Sequence, residues 1–148
     1  MVGFQRVMTV STPAGAVLGY LADLGHSEDW NPGTKSCTRS DAGGPICVGS
    51  TWHAVAVYNG RETELAYTLI GRSDSRLEFV GENSTVTATV DVVAEPVEPA
   101  QDGGSVVTYR ADLRLKGLLK LAAPFLRREF ERLGDEIERN LPPALEKL

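Results

Sequence analysis

Four tyrosines, two histidines, two cysteines and two tryptophans are the side chains of this 148-residue chain with the most chemistry to offer. Their places along strand-like segments decide which of them can meet. Tyr67 lies between Leu65 and Leu69, and Tyr109 between Val107 and Ala111, so strict alternation puts both phenols on the apolar faces of their segments. A buried phenol needs a partner for its hydroxyl or a wet cavity. Two readings stand side by side: core tyrosines bonded to backbone carbonyls, or a pocket with phenolic donors aimed at an oxygenated ligand. Arg39, His53 and Tyr58 join them as groups able to polarise a carbonyl or move a proton if they converge. The competing reading makes His53 an exposed strand residue and Arg39 a solvated charge at the rim.

Other chemistries find less support. Two histidines cannot make a three-histidine zinc site, and Cys37 and Cys47 lack a close-ligand spacing. His26-Ser27-Glu28-Asp29 reads as a solvated helix end rather than a ligand set. No Gly-x-Ser-x-Gly elbow occurs, and Gly43-Gly44 runs into Pro45 rather than into a phosphate-cradling helix start. Neither a metal nor a nucleotide cofactor is expected. Asn83-Ser84-Thr85 matches the glycosylation pattern, which a cytoplasmic chain never puts to use. Cys37 and Cys47 read as reduced thiols, with a disulfide across a hairpin open under oxidation.

The positioning elements follow from periodicity. Phe4–Ser11 reads as a strand, and Ser11-Thr12-Pro13 as the capped start of a helix over Ala14–Asp23, stopped by Gly25. A further turn over His26–Pro32 ends at Asn31-Pro32-Gly33. Strands are expected at Thr34–Ser40, Val48–Tyr58, Glu62–Ile70, Arg76–Val80, Thr85–Val93 and Ser105–Leu115, with Asn59-Gly60 as the tightest hairpin and Glu95–Gly104 as a polar loop. In the last strand Val107, Tyr109, Ala111, Leu113 and Leu115 share one face, as do Leu65, Tyr67 and Leu69, and Leu77 and Phe79, in theirs. Thr51–Tyr58 is ambiguous, and its Trp52 face is favoured inward because it holds the larger aromatics.

Leu118–Leu148 reads as one long amphipathic helix whose stripe is Leu121, Phe125, Leu126, Phe130, Leu133, Ile137 and Leu141. Pro124 suggests a first turn or kink over 118–123, and Pro142-Pro143 an end or bend at Leu141. Gly134 within this helix means either close approach to the sheet or room left for a ligand. The order of elements implies an α+β fold with an antiparallel sheet, and a sheet curled around that helix leaves a gap.

Length suits one domain spanning 1–148. A hydrophobic fraction of 42% with 24% charged residues is that of a globular protein, and a formal charge of −5 opposes nucleic-acid binding and strong attraction to anionic membranes. No segment approaches the ~20 apolar residues of a spanning helix, and Met1–Val10 has no unbroken apolar core of the signal-peptide kind. A cytoplasmic location and no stable membrane insertion are expected.

One set of fragments runs in order along nearly the whole chain. Val10-Ser11-Thr12-Pro13-Ala14 leads to Tyr20-Leu21-Ala22-Asp23, then to Trp30-Asn31-Pro32 and to Val48-Gly49-Ser50 ahead of Trp52. Gly60-Arg61 with Leu65-Ala66-Tyr67 follows, then Gly103-Gly104-Ser105 before Val107-Thr108-Tyr109, and Leu115-Lys116-Gly117 before the last helix. The series resembles the START-like (SRPBCC) superfamily and, within it, small bacterial polyketide cyclase/dehydrase-type proteins. That resemblance implies a helix-grip fold: a curved seven-stranded antiparallel sheet around the C-terminal helix, with two short helices closing one end. It also implies an apolar cavity for a lipid, sterol or polyketide. Trp30, Trp52, Tyr58, Tyr67, Phe79, Tyr109 and Phe125 are the expected walls, with Trp30 placed at the mouth.

Three functions are weighed on this basis. The first is a cofactor-free binder of a hydrophobic small molecule. The second is a polyketide cyclase/aromatase-type enzyme, in which Tyr67, Tyr109, Arg39 or His53 would supply the donor to a carbonyl turning enolate-like. The third is an interaction module with a vestigial cavity, in which outward Val55 and Val57 would form a patch, as for a homodimer.

Overall fold

A computed structural model describes residues 2–58, 60–97 and 103–148. The chain starts with β1 (Val2–Val10), then α1 (Ala14–Leu21), a short 3-10 turn (Leu24–His26) and α2 (Ser27–Trp30). Six strands follow: β2 (Thr34–Arg39), β3 (Thr51–Tyr58), β4 (Arg61–Arg72), β5 (Arg76–Glu82), β6 (Val86–Pro96) and β7 (Ser105–Leu115). A 3-10 segment (Gly117–Ala122) then leads into α3 (Ala123–Glu146). The seven strands form one antiparallel sheet in the order β1-β7-β6-β5-β4-β3-β2. The helical segment between β1 and β2 therefore carries the chain from one edge of the sheet to the other. Irregular register between Leu69 and Gly71 in β4, and between Thr34 and Ser36 in β2, adds local bend and twist to the curled sheet.

Alternation places the faces as the sequence predicts. Trp52, Ala54 and Ala56 are buried on β3, Leu65 and Leu69 on β4, Leu77 and Phe79 on β5, and Val107 through Leu115 at every second position on β7. Gly60 has φ of +77° at the hairpin after Tyr58. Asn59, residues 98–102 of the predicted polar loop and the side chain of Tyr58 lie outside the described residues.

Several boundaries differ from expectation for physical reasons. The Thr12 hydroxyl does not cap α1; it donates to the Leu145 carbonyl at 2.7 Å, and Pro13 stands at the cap position. Residues 26–29 are more than a solvated helix end: Glu28 accepts the Cys37 N–H at 2.7 Å, and His26 stacks on Tyr20. Helix α3 runs through Pro142 and Pro143 to Glu146. The carbonyls that lose their i+4 donors belong to Glu138 and Arg139, both exposed and open to water, while Leu141 and Leu145 are fully buried on either side of the pair.

The largest correction concerns the helix stripe. Phe130, Gly134, Ile137, Leu141 and Leu145 form the buried seam of α3. Continued backward at four- and three-residue steps, that seam passes through Leu126 and Ala123, which are half-buried against the core. Phe125 sits about 140° around the helix from Phe130 and is 78% exposed. Leu121 and Leu118 belong to the 3-10 segment and are 79% and 86% exposed. The seam itself is tight: a Cβ on Gly134 would meet the Phe4 ring at 2.8 Å, so this glycine marks close approach to β1.

Candidate functional site

The gap between the sheet and α3 is small and divided. The larger chamber, about 40 Å³, lies between β6, β7 and the middle of α3, and the smaller, about 30 Å³, reaches toward α2 and β2. Both are lined by Asn31, Tyr67, Val90 and Tyr109. Each holds at most a few waters, since one water needs roughly 10–15 Å³ by this measure.

Each of the four shared residues is placed by its own element. Tyr67 pairs with Gly81 across β4 and β5, and a Cβ on Gly81 would lie 2.6 Å from the Tyr67 ring, so the phenol lies across bare backbone. Tyr109 is buried on β7, stacked on Phe4 at 6.0 Å and met edge-on by Trp30 at 5.5 Å. Asn31 caps the C-terminal end of α2, and its Oδ1 accepts the Gly33 N–H at 2.9 Å. Val90 stands at an inward position of β6, between buried Ala88 and Val92. Two phenols and one carboxamide are thus the polar groups that both chambers share.

A third space lies outside. A groove of about 190 Å³ runs between the Pro32-Gly33 turn, Val57 on β3 and the Glu129, Arg132, Leu133 and Glu136 side of α3. Leu133 borders both this groove and the larger chamber. A Cβ on Gly33 would come within 3.2 Å of both Leu133 methyls, so the bare turn leaves just enough space for that side chain to pack between groove and chamber.

The remaining predicted site residues lie elsewhere. Trp52 is fully buried, donates to Asp23 Oδ1 at 3.1 Å and packs edge-on to Phe79, and neither ring borders the chambers. Trp30 is buried behind Tyr109 instead of standing at a mouth, and its Nε1 is the buried side-chain polar atom without a partner among the described residues. Arg39 is held by Asp41, the Gly43 and Gly44 carbonyls and Ser50, and its guanidinium lies over the Trp52 ring. His53 points away from α3 and pairs with Glu64 at 2.8 Å. Phe125 is in solvent. Val55 and Val57 are half-buried, with Val57 on the groove wall.

Cys37 and Cys47 are free thiols, the first buried and the second exposed. Cys37 borders the smaller chamber, where burial pushes its thiol up to about 11; a contact with Ser27 opposes that shift, and Glu28 and Asp23 add to it. It is a neutral wall group at neutral pH and not a nucleophile. Asn31, Val90 and Leu133 line the chambers without being among the walls that the sequence predicts. The one signal available was the Asn31-Pro32-Gly33 turn, because Asn side chains close such turns on the backbone.

The family described as polyketide cyclase/dehydrase and lipid transport matches residues 1–142. Among solved structures, the Zhui aromatase/cyclase from Streptomyces sp. R1128 superposes with a TM-score of 0.79 at 14% identity, covering 98% of this chain and 93% of that one. A START superfamily protein from Mycobacterium smegmatis gives 0.74 at 13% identity over 98% and 97% of the two chains. The di-domain ARO/CYC BexL of the BE-7585A biosynthetic pathway gives 0.73 at 18%, with 99% of this chain against 47% of that protein. At these identities the likeness is one of fold: the helix-grip, START-like arrangement. A search of curated proteins finds no match.

Proposed function

The chain belongs to the family of polyketide cyclases/dehydrases and lipid transport proteins, and from that premise we propose that it binds a hydrophobic small molecule between the sheet and α3. The observation that carries this reading is the pair of chambers sharing Asn31, Tyr67, Val90 and Tyr109. Ligand pockets for drug-sized molecules run from about 300 to 1,000 Å³, so the resting interior is contracted and a guest must open it. Leu133 is the side chain whose displacement joins the larger chamber to the outer groove. The groove rim carries Glu129, Arg132 and Glu136, which favours a guest with an apolar body and a polar end.

A second reading is supported by the shared polar groups. Two phenols and a carboxamide around one space suit stabilisation of a developing enolate, the work of an aromatase/cyclase, by hydrogen bonds to the substrate carbonyl.

Native mass spectrometry of the purified protein, with extraction of co-bound material, tests the first reading together with titration by an apolar fluorescent probe. One equivalent of guest, taken up saturably and lost in Leu133→Trp, is the expected result. No co-purified guest and no saturable uptake would sink it. Tyr109→Phe then separates the readings: a binder loses modest affinity, whereas a cyclase loses turnover on a poly-β-ketone substrate with its KM little changed.

A further inference from the structure

Leu118, Leu121 and Phe125 are 86%, 79% and 78% exposed. They recur at three- and four-residue steps through the 3-10 segment and the first turn of α3, a spacing that brings side chains to one side of a helix. Between Arg114 and Arg128 the chain carries Arg114, Lys116, Lys120, Arg127 and Arg128 and no carboxylate, although the whole chain has 20 Asp and Glu against 15 Lys and Arg. Lys116 lies 3.8 Å from Glu82. Arg114, Lys120, Arg127 and Arg128 make no ion pair among the described residues.

Residues 117–128 also contain no Ser, Thr, Asn, Gln, Tyr, Trp or His. A protein partner of ordinary size would need about ten hydrogen bonds and paired charges to set its register, and the side chains of residues 117–128 offer only unpaired cations, the first carboxylate on this face being Glu129, one turn beyond Phe125. A fluid anionic surface needs nothing more: apolar side chains enter the headgroup boundary while cations lie at the phosphates. We propose that the segment from Lys116 to Arg128 docks the protein on an anionic lipid bilayer, with Leu118, Leu121 and Phe125 inserted and Lys120, Arg127 and Arg128 at the headgroups. The net charge of −5 opposes approach to an anionic surface, and the local cations must outweigh it within about a Debye length of contact; the same repulsion turns the acidic remainder away from the bilayer and fixes which side lands. Docking is peripheral, as no helix among the described residues is long and apolar enough to cross a membrane. The inference stands independently of what the interior binds.

Co-sedimentation of the full chain with vesicles of phosphatidylcholine, and of an equimolar phosphatidylcholine–phosphatidylglycerol mixture, is the test. Binding to the mixed vesicles, weakened by salt and absent from neutral ones, is expected. Each cation near the surface contributes about fivefold, so Lys120→Glu/Arg127→Glu/Arg128→Glu should lower affinity by at least about a hundredfold. Leu118→Ser/Leu121→Ser/Phe125→Ser should lower it comparably. Lys35→Glu, on β2 at an exposed pair with Glu62 of β4, should bind as the parent does. Circular dichroism checks that each variant is folded. The proposal is overturned if the parent ignores anionic vesicles, or if both triple variants bind unchanged. It is equally overturned if sedimentation equilibrium shows a dimer that the Ser variant dissolves, since a second copy then covers this face.

Discussion

From Phe130 onward α3 is fastened to β1 and to the Ser11-Thr12 turn that follows it, whereas before Phe130 its outer side and the 3-10 segment ahead of it stand in solvent. The fastened half has a complete seam, Phe130 to Leu145, over which Gly134 lets Phe4 approach. Its outer edge is tied as well: Arg6 reaches Glu131 at 3.0 Å and Asp135 at 2.9 Å. Its last turn is held by the Thr12 hydroxyl on the Leu145 carbonyl and by Ser11 on Glu146. The other half contributes only Leu119, Ala123 and Leu126, all half-buried, to the core. Leu133, the plug between groove and chamber, stands just beyond the point where the two regimes meet. Such a rod can lift at one end while its other end keeps the fold intact, and local opening of this kind is drawn from the least packed part of a structure.

The largest expected contrast is in stability. Ile137→Ala or Leu141→Ala removes a side chain with at most 1% exposure and should cost about 2–5 kcal/mol in chemical denaturation. If either cost less than Phe125→Ser, the division of the helix would be wrong.

Cys37 reports next on whether the loosely seated half lifts. With its pKa moved from 9.0 to about 11, the thiol carries roughly a hundredfold less thiolate at neutral pH than an ordinary one. Alkylation should therefore lag that of exposed Cys47, and Leu133→Ala should narrow the gap by letting reagent through the groove. A folded-state pKa above the unfolded value means stability is whole below pH 9 and declines as pH rises toward about 11. Cys37→Ala should flatten that decline in thermal melts. A parent and variant that fall alike would show the thiol to be ordinary.

Gly134→Ala comes third. Helix propensity favours alanine by ~1 kcal/mol, yet the added carbon meets the Phe4 ring at 2.8 Å, and overpacking costs about 1–3 kcal/mol. A net loss of up to about 2 kcal/mol is expected, and a stabilised variant would mean that the seam is slack.

How far the sequence discloses all this depends on the range of the interaction that decides each feature. Strand faces are set by a two-residue period, so Leu65 and Val107 lie inward as their alternation predicts, whereas on Thr51–Tyr58 alternation is ambiguous and the size of its aromatics picks the buried Trp52 face. Tyr67 and Tyr109 reach one space by that same rule. The helix stripe is different, because periodicity marks apolar residues without marking where the wall they need comes to an end. Phe125 and Leu121 fit the pattern and have no wall. Pro142-Pro143 misleads in the opposite sense, since local preference there yields to the burial of Leu141 and Leu145. Asn31 and Leu133 were illegible for a third reason: their meeting depends on how closely the turn at Gly33 approaches α3, a distance that no local pattern encodes.

The smallest stability effect is the most telling for the exposed half. Leu121→Ser and Phe125→Ser remove side chains that bury little, so each should change unfolding free energy by no more than about 0.5 kcal/mol. A loss of 2 kcal/mol or so would mean that these residues fold down onto the sheet in solution, and the chamber walls would then include Phe125 after all. An unchanged stability together with lost vesicle binding would assign the two leucines and the phenylalanine to a surface whose cost is borne for contact alone. The two halves of one helix would then divide the labour, the buried seam keeping the protein folded and the bare one choosing where it lands.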